Sequence, residues 1–564
     1  MEQVIETKQC RQCGNTFPIT DEDIQFYDQV SPVIGGIKYS VPIPAICPTC
    51  RLNRRLSWSN ERNLYHRKCA ATGKNILSVF APETPYVVYD NDYWYGDEWD
   101  GRDYGMEFDF NKSFFEQFNE LLKKVPSAQS VVGNTNSDFV NSCGWSKNCY
   151  LIFEADGNEN CYYANDLYDS RSSMDLLFAT NCELCYENVD CRNSYDLKYS
   201  QDCDNCHTSM FLNNCIGCSN CFGCVNLRNK KYCIFNQEYS EEEYKEKIKE
   251  MNIGSFIALK KFKEDFKQFA LQFPRKYMQG TQNENSTGYS LYNTKNCQCC
   301  FDIQNSQDSK YIERCRNMRH CYDILVFGAA KGADFCYESH DIGDGGRNLL
   351  FCFRSWGGCS NLIYCKLCIN SSHDLFGCIS LKHREYCILN KQYTKGEYEE
   401  LVPKIIEHMK KTGEWGEFFP ISLSPFGYNE TISVDYNPLT KEQALSQGYR
   451  WREDDQKQYQ KQTYIIPDTI SEVSDNILQE ILACESCGKN FKIMALELEF
   501  YRKSNIPLPH NCPNCRHKVR MQMRNPYRLW DRQCMKCNAD IKTSYSPERR
   551  EIVYCEKCYR ETVY

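Results

Sequence analysis

Residues 161–224 read CYYANDLYDSRSSMDLLFATNCELCYENVDCRNSYDLKYSQDCDNCHTSMFLNNCIGCSNCFGC. Within this stretch Cys161, Cys182, Cys203 and Cys224 recur at a constant step of 21 residues. The step returns at Cys315, Cys336, Gly357 and Cys378, displaced by 154 residues. The match runs on through Leu227 with Leu381, Tyr232-Cys233-Ile234 with Tyr386-Cys387-Ile388, and Tyr244 with Tyr398. Upstream the displacement is 148, pairing Phe114 with Phe262, Pro126 with Pro274 and Cys149 with Cys297. One unit of roughly 150 residues is therefore used twice. Short turns that cannot bury a core alone stack on their neighbours. Aromatic and β-branched residues among many Asn, Asp, Ser and Gly favour strands and turns over helices. Each unit is expected to form about four rungs of a parallel β-solenoid, 21 residues per rung, with equivalent cysteines stacked about 4.8 Å apart.

Two readings of the central thiols follow. In the first they pack as small hydrophobes in a core ladder. In the second, Cys182 and Cys185 stacked over Cys203 and Cys206 form a four-thiolate site for zinc or an iron–sulfur cluster. Positions three apart on a straight strand face opposite sides, so the second reading requires a corner. Disulfides are a third alternative.

The ends carry a different cysteine rhythm. Cys10, Cys13, Cys47 and Cys50 form two Cys-x-x-Cys pairs, and so do Cys484, Cys487, Cys512 and Cys515. A third quartet is Cys534, Cys537, Cys555 and Cys558. Two thiolates on a tight turn aim at one ion, and two such pairs complete a tetrahedron around Zn²⁺. The two ends are copies of one module: Phe17 matches Phe491 and Tyr27 matches Tyr501, then Cys50 matches Cys515, Arg55 matches Arg520 and Cys69 matches Cys534. The N-terminal copy has nine extra residues around Gly35-Gly36. At its second site Thr72, Asp90 and Tyr93 stand opposite Cys537, Cys555 and Cys558, leaving Cys69 alone. Three zincs rather than four are expected, with Tyr93, Trp94, Tyr95 and Trp99 packing where the fourth would sit.

Helical patterns over Phe114–Lys124 and Phe262–Phe273 precede the two units, and capping boxes at Ser240/Glu243, Thr394/Glu397 and Thr440/Gln443 open later helices. The helices are expected to cover the solenoid ends, where exposed edge strands need protection. The expected division is 1–110, an N-terminal zinc module; 111–256 and 257–412, each a helix plus one solenoid unit; 413–480, a connector with short helices; and 481–564, a C-terminal double zinc module.

The chain has 564 residues, a net charge of −8 and 38 cysteines. No run of about 20 apolar residues exists to span a membrane, and Met1 to Cys10 lacks the apolar core of a signal peptide. A disulfide scaffold would imply export and a small domain, so a reduced, cytoplasmic setting is expected. Basic residues concentrate at the ends: the stretch from Cys50 to Cys69 carries +5 and that from Tyr501 to Cys537 carries +8. Arg51, Arg54, Arg55, Arg516, Lys518, Arg520, Arg524 and Arg528, interleaved with aromatics, suit phosphate contact and base stacking. The competing reading is a solvated basic face, or arginines that pair with the acidic solenoid. The nine histidines form no catalytic motif, and Gly328–Gly332 is too weak for a phosphate loop.

These residues support a resemblance. The terminal CxxCG–F–FY–P–CPxCR pattern resembles the zinc-ribbon (treble-clef) family. The whole chain, through Asn181-Cys-Glu-Leu-Cys-Tyr186, Cys221-Phe-Gly-Cys224, Tyr386–Tyr393 and Ser424-Pro-Phe-Gly-Tyr-Asn-Glu-Thr431, resembles a family of cysteine-rich proteins common in uncultured candidate-phylum bacteria. Members usually carry the second N-terminal quartet, from which this chain departs at Thr72, Asp90 and Tyr93. Automated naming sometimes places such chains with CaiB/BaiF-type CoA-transferases; neither a doubly wound strand–helix alternation nor a dinucleotide-type glycine loop supports that. The resemblance implies no activity. The resulting expectation is a mainly β, multidomain protein: zinc-ribbon modules at both ends of two cysteine-rich β-solenoid units flanked by helices. It would act by binding, as a scaffold contacting nucleic acid through its ends or protein partners through its solenoid surface. The alternative is a thiol-redox or metal-cluster protein.

Overall fold

From Asn136 to Phe235 every third residue has φ near +50 to +70°. That left-handed region costs most L-residues about 1–2 kcal/mol and is tolerated best by Gly, Asn and Asp. Those three take more than half of the positions, including Asn181, Asp190, Asn193, Asp202 and Gly217. Each left-handed residue turns the chain through a corner, the next residue points inward, and the third pairs with neighbouring rungs. The computed structural model, which describes residues 2–130, 132–327, 331–453 and 458–564, thus shows a coil built from tripeptides. Residues 328–330 of the glycine stretch noted above lie outside the described residues.

The rung is 12 residues, four tripeptides, and not 21. Asn141, Phe153, Asn165 and Leu177 are in parallel register, and bridges continue the column through Val189, Gln201, Asn213 and Val225. A step of 21 is a multiple of three but not of 12. Cys161, Cys182, Cys203 and Cys224 therefore all face inward, yet on different walls. They do not stack as expected. The residues that do share a wall are 12 apart, such as Cys191, Cys203 and Cys215.

The corners also hold the rungs together. The Thr180 N–H donates to Cys191 O at 3.2 Å, and the left-handed Asn193 N–H donates back to Thr180 O at 3.0 Å. Inside, thiols and hydroxyls satisfy the backbone. Cys185 Sγ donates to Glu183 O and Ser194 O at 3.5 and 3.6 Å, and the Cys185 N–H donates to Ser173 Oγ at 3.1 Å. Four inward side chains per rung leave room for small residues, and cysteine combines small apolar volume with a weak donor. None of the 38 cysteines is joined in a disulfide.

The second coil follows the same rule with insertions. Gly288 pairs with Cys300 and Lys310 with Tyr322, 12 apart. Tyr322 to Tyr337 then takes 15 residues, and Arg347, Ser360 and His373 are spaced by 13. The extra residues account for the drift of the repeat displacement from 148 upstream to 154 downstream.

The two coils lie side by side and antiparallel. Ser142 meets Arg354, Asp166 meets Arg314, Tyr168 lies under Arg316 and Arg192 stacks on Tyr292, so later residues of one coil face earlier residues of the other. The flanking helices cover coil flanks and not the ends of their own units. Phe114–Lys124, which precedes the first coil, packs on the second through Phe114 against Tyr364 and Phe376. Phe256–Ala270, which precedes the second, packs on the first through Phe262 against Phe222 and Phe266 against Phe211. The helices are amphipathic and the coils present aromatic columns, so the burial is hydrophobic on both sides. The three capping boxes form. Among the described residues no helix is long and apolar enough to cross a membrane.

Candidate metal centres and the module–coil interfaces

Each terminal quartet begins on a tight turn and ends on a helix. Gly14 and Gly488, at φ +75° and +72°, complete the first turns, and Gly14 N–H donates to Cys10 O. Cys47 and Cys512 are the N-cap residues of helices Pro48–Leu56 and Pro513–Met523, and Cys555 caps Glu556–Val563. A helix N-terminus favours the thiolate over the thiol. The four sulfurs of each quartet lie within 4.8 Å of one another: Cys10, Cys13, Cys47 and Cys50; Cys484, Cys487, Cys512 and Cys515; Cys534, Cys537, Cys555 and Cys558.

The edges Cys13–Cys47, Cys487–Cys512 and Cys537–Cys555 measure 3.7, 3.8 and 3.7 Å. A tetrahedron of sulfurs about 2.3 Å from a central Zn²⁺ has edges of about 3.8 Å, so each donor set fits such an ion. Backbone N–H groups support the sulfurs, Cys47 N–H and Cys555 N–H donating to Cys10 and Cys534 Sγ at 3.2 Å each. Cys47 is pulled well below the ordinary thiol range, chiefly by the Cys50 thiol hydrogen-bonded to it.

The second N-terminal site keeps the knuckle without the ligands. Thr72 and Asp90 N–H groups donate to Cys69 Sγ at 3.4 and 3.1 Å, as they would around a metal-bound sulfur. Thr72 Oγ1 then donates to the Asp90 carboxylate at 2.8 Å, closing the gap with a direct hydrogen bond. Trp94 is fully buried beside Tyr95 and Trp99, and Tyr93 packs on Tyr89.

The central quartet does not form. Cys182, Cys185, Cys203 and Cys206 all point inward, because a corner separates each triplet. However, Cys182 and Cys206 share a wall two rungs apart with Ser194 between them, and Cys203 lies on another wall. Among the described residues, only the three terminal quartets bring three or more metal-ligating atoms together. The central thiols are the packed core of the first reading.

Six of the eight basic residues singled out in the modules form the coil interfaces and are not free for phosphate. Arg51 Nε and Arg55 Nη1 donate to Asp323 at 3.0 and 3.1 Å. Arg516 and Arg520 pair with Asp175 at 3.0 and 2.7 Å. Arg51 lies over Tyr311 and Arg516 over Tyr163. Asp323 and Tyr311 stand 148 residues after Asp175 and Tyr163, so one docking geometry is used twice. Arg54 pairs with Glu338 and Glu417, and Arg524 with Asp190 and Asp302. All six arginines are buried. This corrects the expectation of nucleic-acid contact at Arg51, Arg54, Arg55, Arg516, Arg520 and Arg524; Lys518 and Arg528 alone of that set are exposed. The acceptors Asp175 and Asp323 escaped the sequence reading, although the 148-residue displacement relates them.

The docking is crossed. The segment bearing the Cys10–Cys50 quartet sits on the second coil and that bearing the Cys484–Cys515 quartet on the first, while the last segment reaches the start of the second coil through Tyr545 against Tyr289. Tyr27 packs on Tyr337 and Tyr501 on Tyr186, at 5.4 and 5.7 Å between ring centres. Comparison with family models and with curated proteins finds no match to this chain.

Proposed function

We propose that this protein is a zinc-stabilised, non-catalytic scaffold whose metal modules clamp two antiparallel solenoids into one body. The observation that carries this reading is the crossed docking of Arg51/Arg55 on Asp323 and of Arg516/Arg520 on Asp175. Small metal modules have little core of their own, so the ion supplies their folding free energy. Each module in turn orders the coil it grips. Zinc-ribbon character, a reducing cytoplasmic setting and kinship with the candidate-phylum family belong to the same proposal, supported by the quartet spacing and by cysteines that form no disulfide. A partner would then meet the outer flanks of the coils. Nucleic-acid contact through the modules would rest on Lys518 and Arg528.

The test is metal content and sulfur coordination of protein purified without oxygen. About three zincs per chain in all-sulfur sites, no iron, and loss of the compact state on chelation are expected. Stoichiometric iron, zinc well above three, or a chelated protein of unchanged stability would overturn the reading.

A further inference from the structure

One lysine has a chemistry that a scaffold does not require. Lys366 occupies an outward position of the second coil, in one column with His340, Phe353 and Ile379. It is 3% exposed. Its Nζ donates to Ser127 Oγ at 3.1 Å and lies 5.8 Å from the centre of the Phe80 ring. Among the described residues no carboxylate pairs with it. The charge it feels most is a cation, Arg354, which is itself tied to Asp341 at 3.3 Å. The surrounding cleft has apolar walls from Val79, Ala128, Pro425 and Phe426.

An ammonium here loses its hydration, gains no counter-charge and is repelled by Arg354. Burial, reinforced by Arg354, accordingly pulls the amine down to about 7. A neutral amine is a nucleophile. Size then selects its partner. The cleft offers about 30 Å³ of free volume. One water needs at least about 10–15 Å³, so the space beside the amine suits a molecule of two or three heavy atoms.

We propose that Lys366 is a carbon dioxide site, its amine taking up CO₂ reversibly as a carbamate. The nitrogen lone pair forms the new N–C bond, one C=O π pair moves onto oxygen, and the proton shed by nitrogen leaves to water or bicarbonate. Amine and CO₂ thus give carbamate and a proton, with nothing oxidised or reduced. The product puts an anion in the place of a neutral amine whose protonated form Arg354 repels. Arg354, which disfavours the ammonium, attracts the carbamate, and the Ser127 hydroxyl can donate to a charged acceptor.

The full-length, zinc-loaded protein is equilibrated with ¹³C-bicarbonate, and carbamates are trapped by O-ethylation before digestion and mass spectrometry. The ¹³C-ethyl carbamate is expected on the Lys366 peptide in severalfold greater yield than on any exposed lysine. It is expected to be lost in Lys366→Met and reduced severalfold in Arg354→Met. Mapping on the wild-type chain decides the matter even if a variant fails to fold. An unlabelled Lys366 in folded wild-type protein, or labelling there no greater than at exposed lysines, overturns the proposal.

Discussion

Asp166 and Arg314 occupy the same position in the two repeats, 148 residues apart, and they pair with each other across the coil–coil interface at 2.6 Å. The pseudo-twofold axis relating the coils therefore passes close to this pair. In a symmetric dimer the same residue would meet itself there, and two aspartates or two arginines would repel. Duplication within one chain lets the two copies diverge to opposite charges. Glu61 of the N-terminal module adds a second acceptor for Arg314 at 2.9 Å.

Charge reversal at the axis should be self-correcting. Arg314→Asp alone places buried like charges together and should destabilise the protein by about 3–5 kcal/mol. Adding Asp166→Arg should restore part of that loss, although Glu61 keeps the swap from being symmetric. Urea denaturation of the single and double variants reads the coupling. Additive effects would place the pair outside the energetics of the interface.

The docking aspartates should matter equally at the two ends. Asp323→Asn leaves Arg51 without a charged acceptor and Arg55 with Glu313 alone, and Asp175→Asn leaves Arg520 without one and Arg516 with Glu497 alone. Each should cost about 3–5 kcal/mol, because one buried guanidinium, Arg51 or Arg520, loses its carboxylate. Comparable losses in chemical denaturation are expected. Arg520→Ala should likewise lower stability and leave retention on nucleic acid columns unchanged.

Metal stoichiometry should follow the terminal quartets alone. Cys487→Ser should remove about one zinc of three, because one ligand of a closed four-thiolate site is lost. Cys69→Ser should remove none, since Thr72 and Asp90 already close that site by hydrogen bonding. Cys203→Ser should also remove none and should cost little stability, the hydroxyl being able to donate as Cys203 Sγ does to Gln201 O. Plasma mass spectrometry of the three variants gives the count.

Acid should weaken the protein partly through His517. Burial, with Arg62 adding repulsion, lowers this imidazole to about 4, although it contacts Asp435 at 3.2 Å. The unfolded chain then binds a proton that the folded chain refuses. Stability from this group is complete above about pH 6.5 and is lost as pH falls from there toward 4. His517→Gln should flatten the fall in unfolding free energy across that window relative to wild type. Asp156, raised to about 6 by burial, has the opposite sign and is common to both proteins, so the difference between them isolates His517. An identical slope in both would remove His517 from the acid response.

What the sequence alone determined is local or strictly repeated. Ligand spacing defined the three quartets, because a metal site needs particular atoms at particular intervals. Capping boxes such as Thr394/Glu397 were legible for the same reason. The internal duplication was legible from equal displacements, and so was the vacancy at Thr72, Asp90 and Tyr93. The solenoid class was legible, but its rung was not. Inward positions accept Cys, Ser, Ala, Leu or Asn alike, so the three-residue period is blurred in composition, and the cysteines that remain happen to mark a multiple of it.

Tertiary structure decided the rest. Whether Arg51 and Arg516 face phosphate or protein depends on acidic partners 272 and 341 residues away in the chain, at Asp323 and Asp175. Two coils each with an aromatic column and a charged flank can bury both only by lying antiparallel and exchanging their covering elements. That solution follows from the closure of buried charges and apolar faces in three dimensions, which no local pattern encodes.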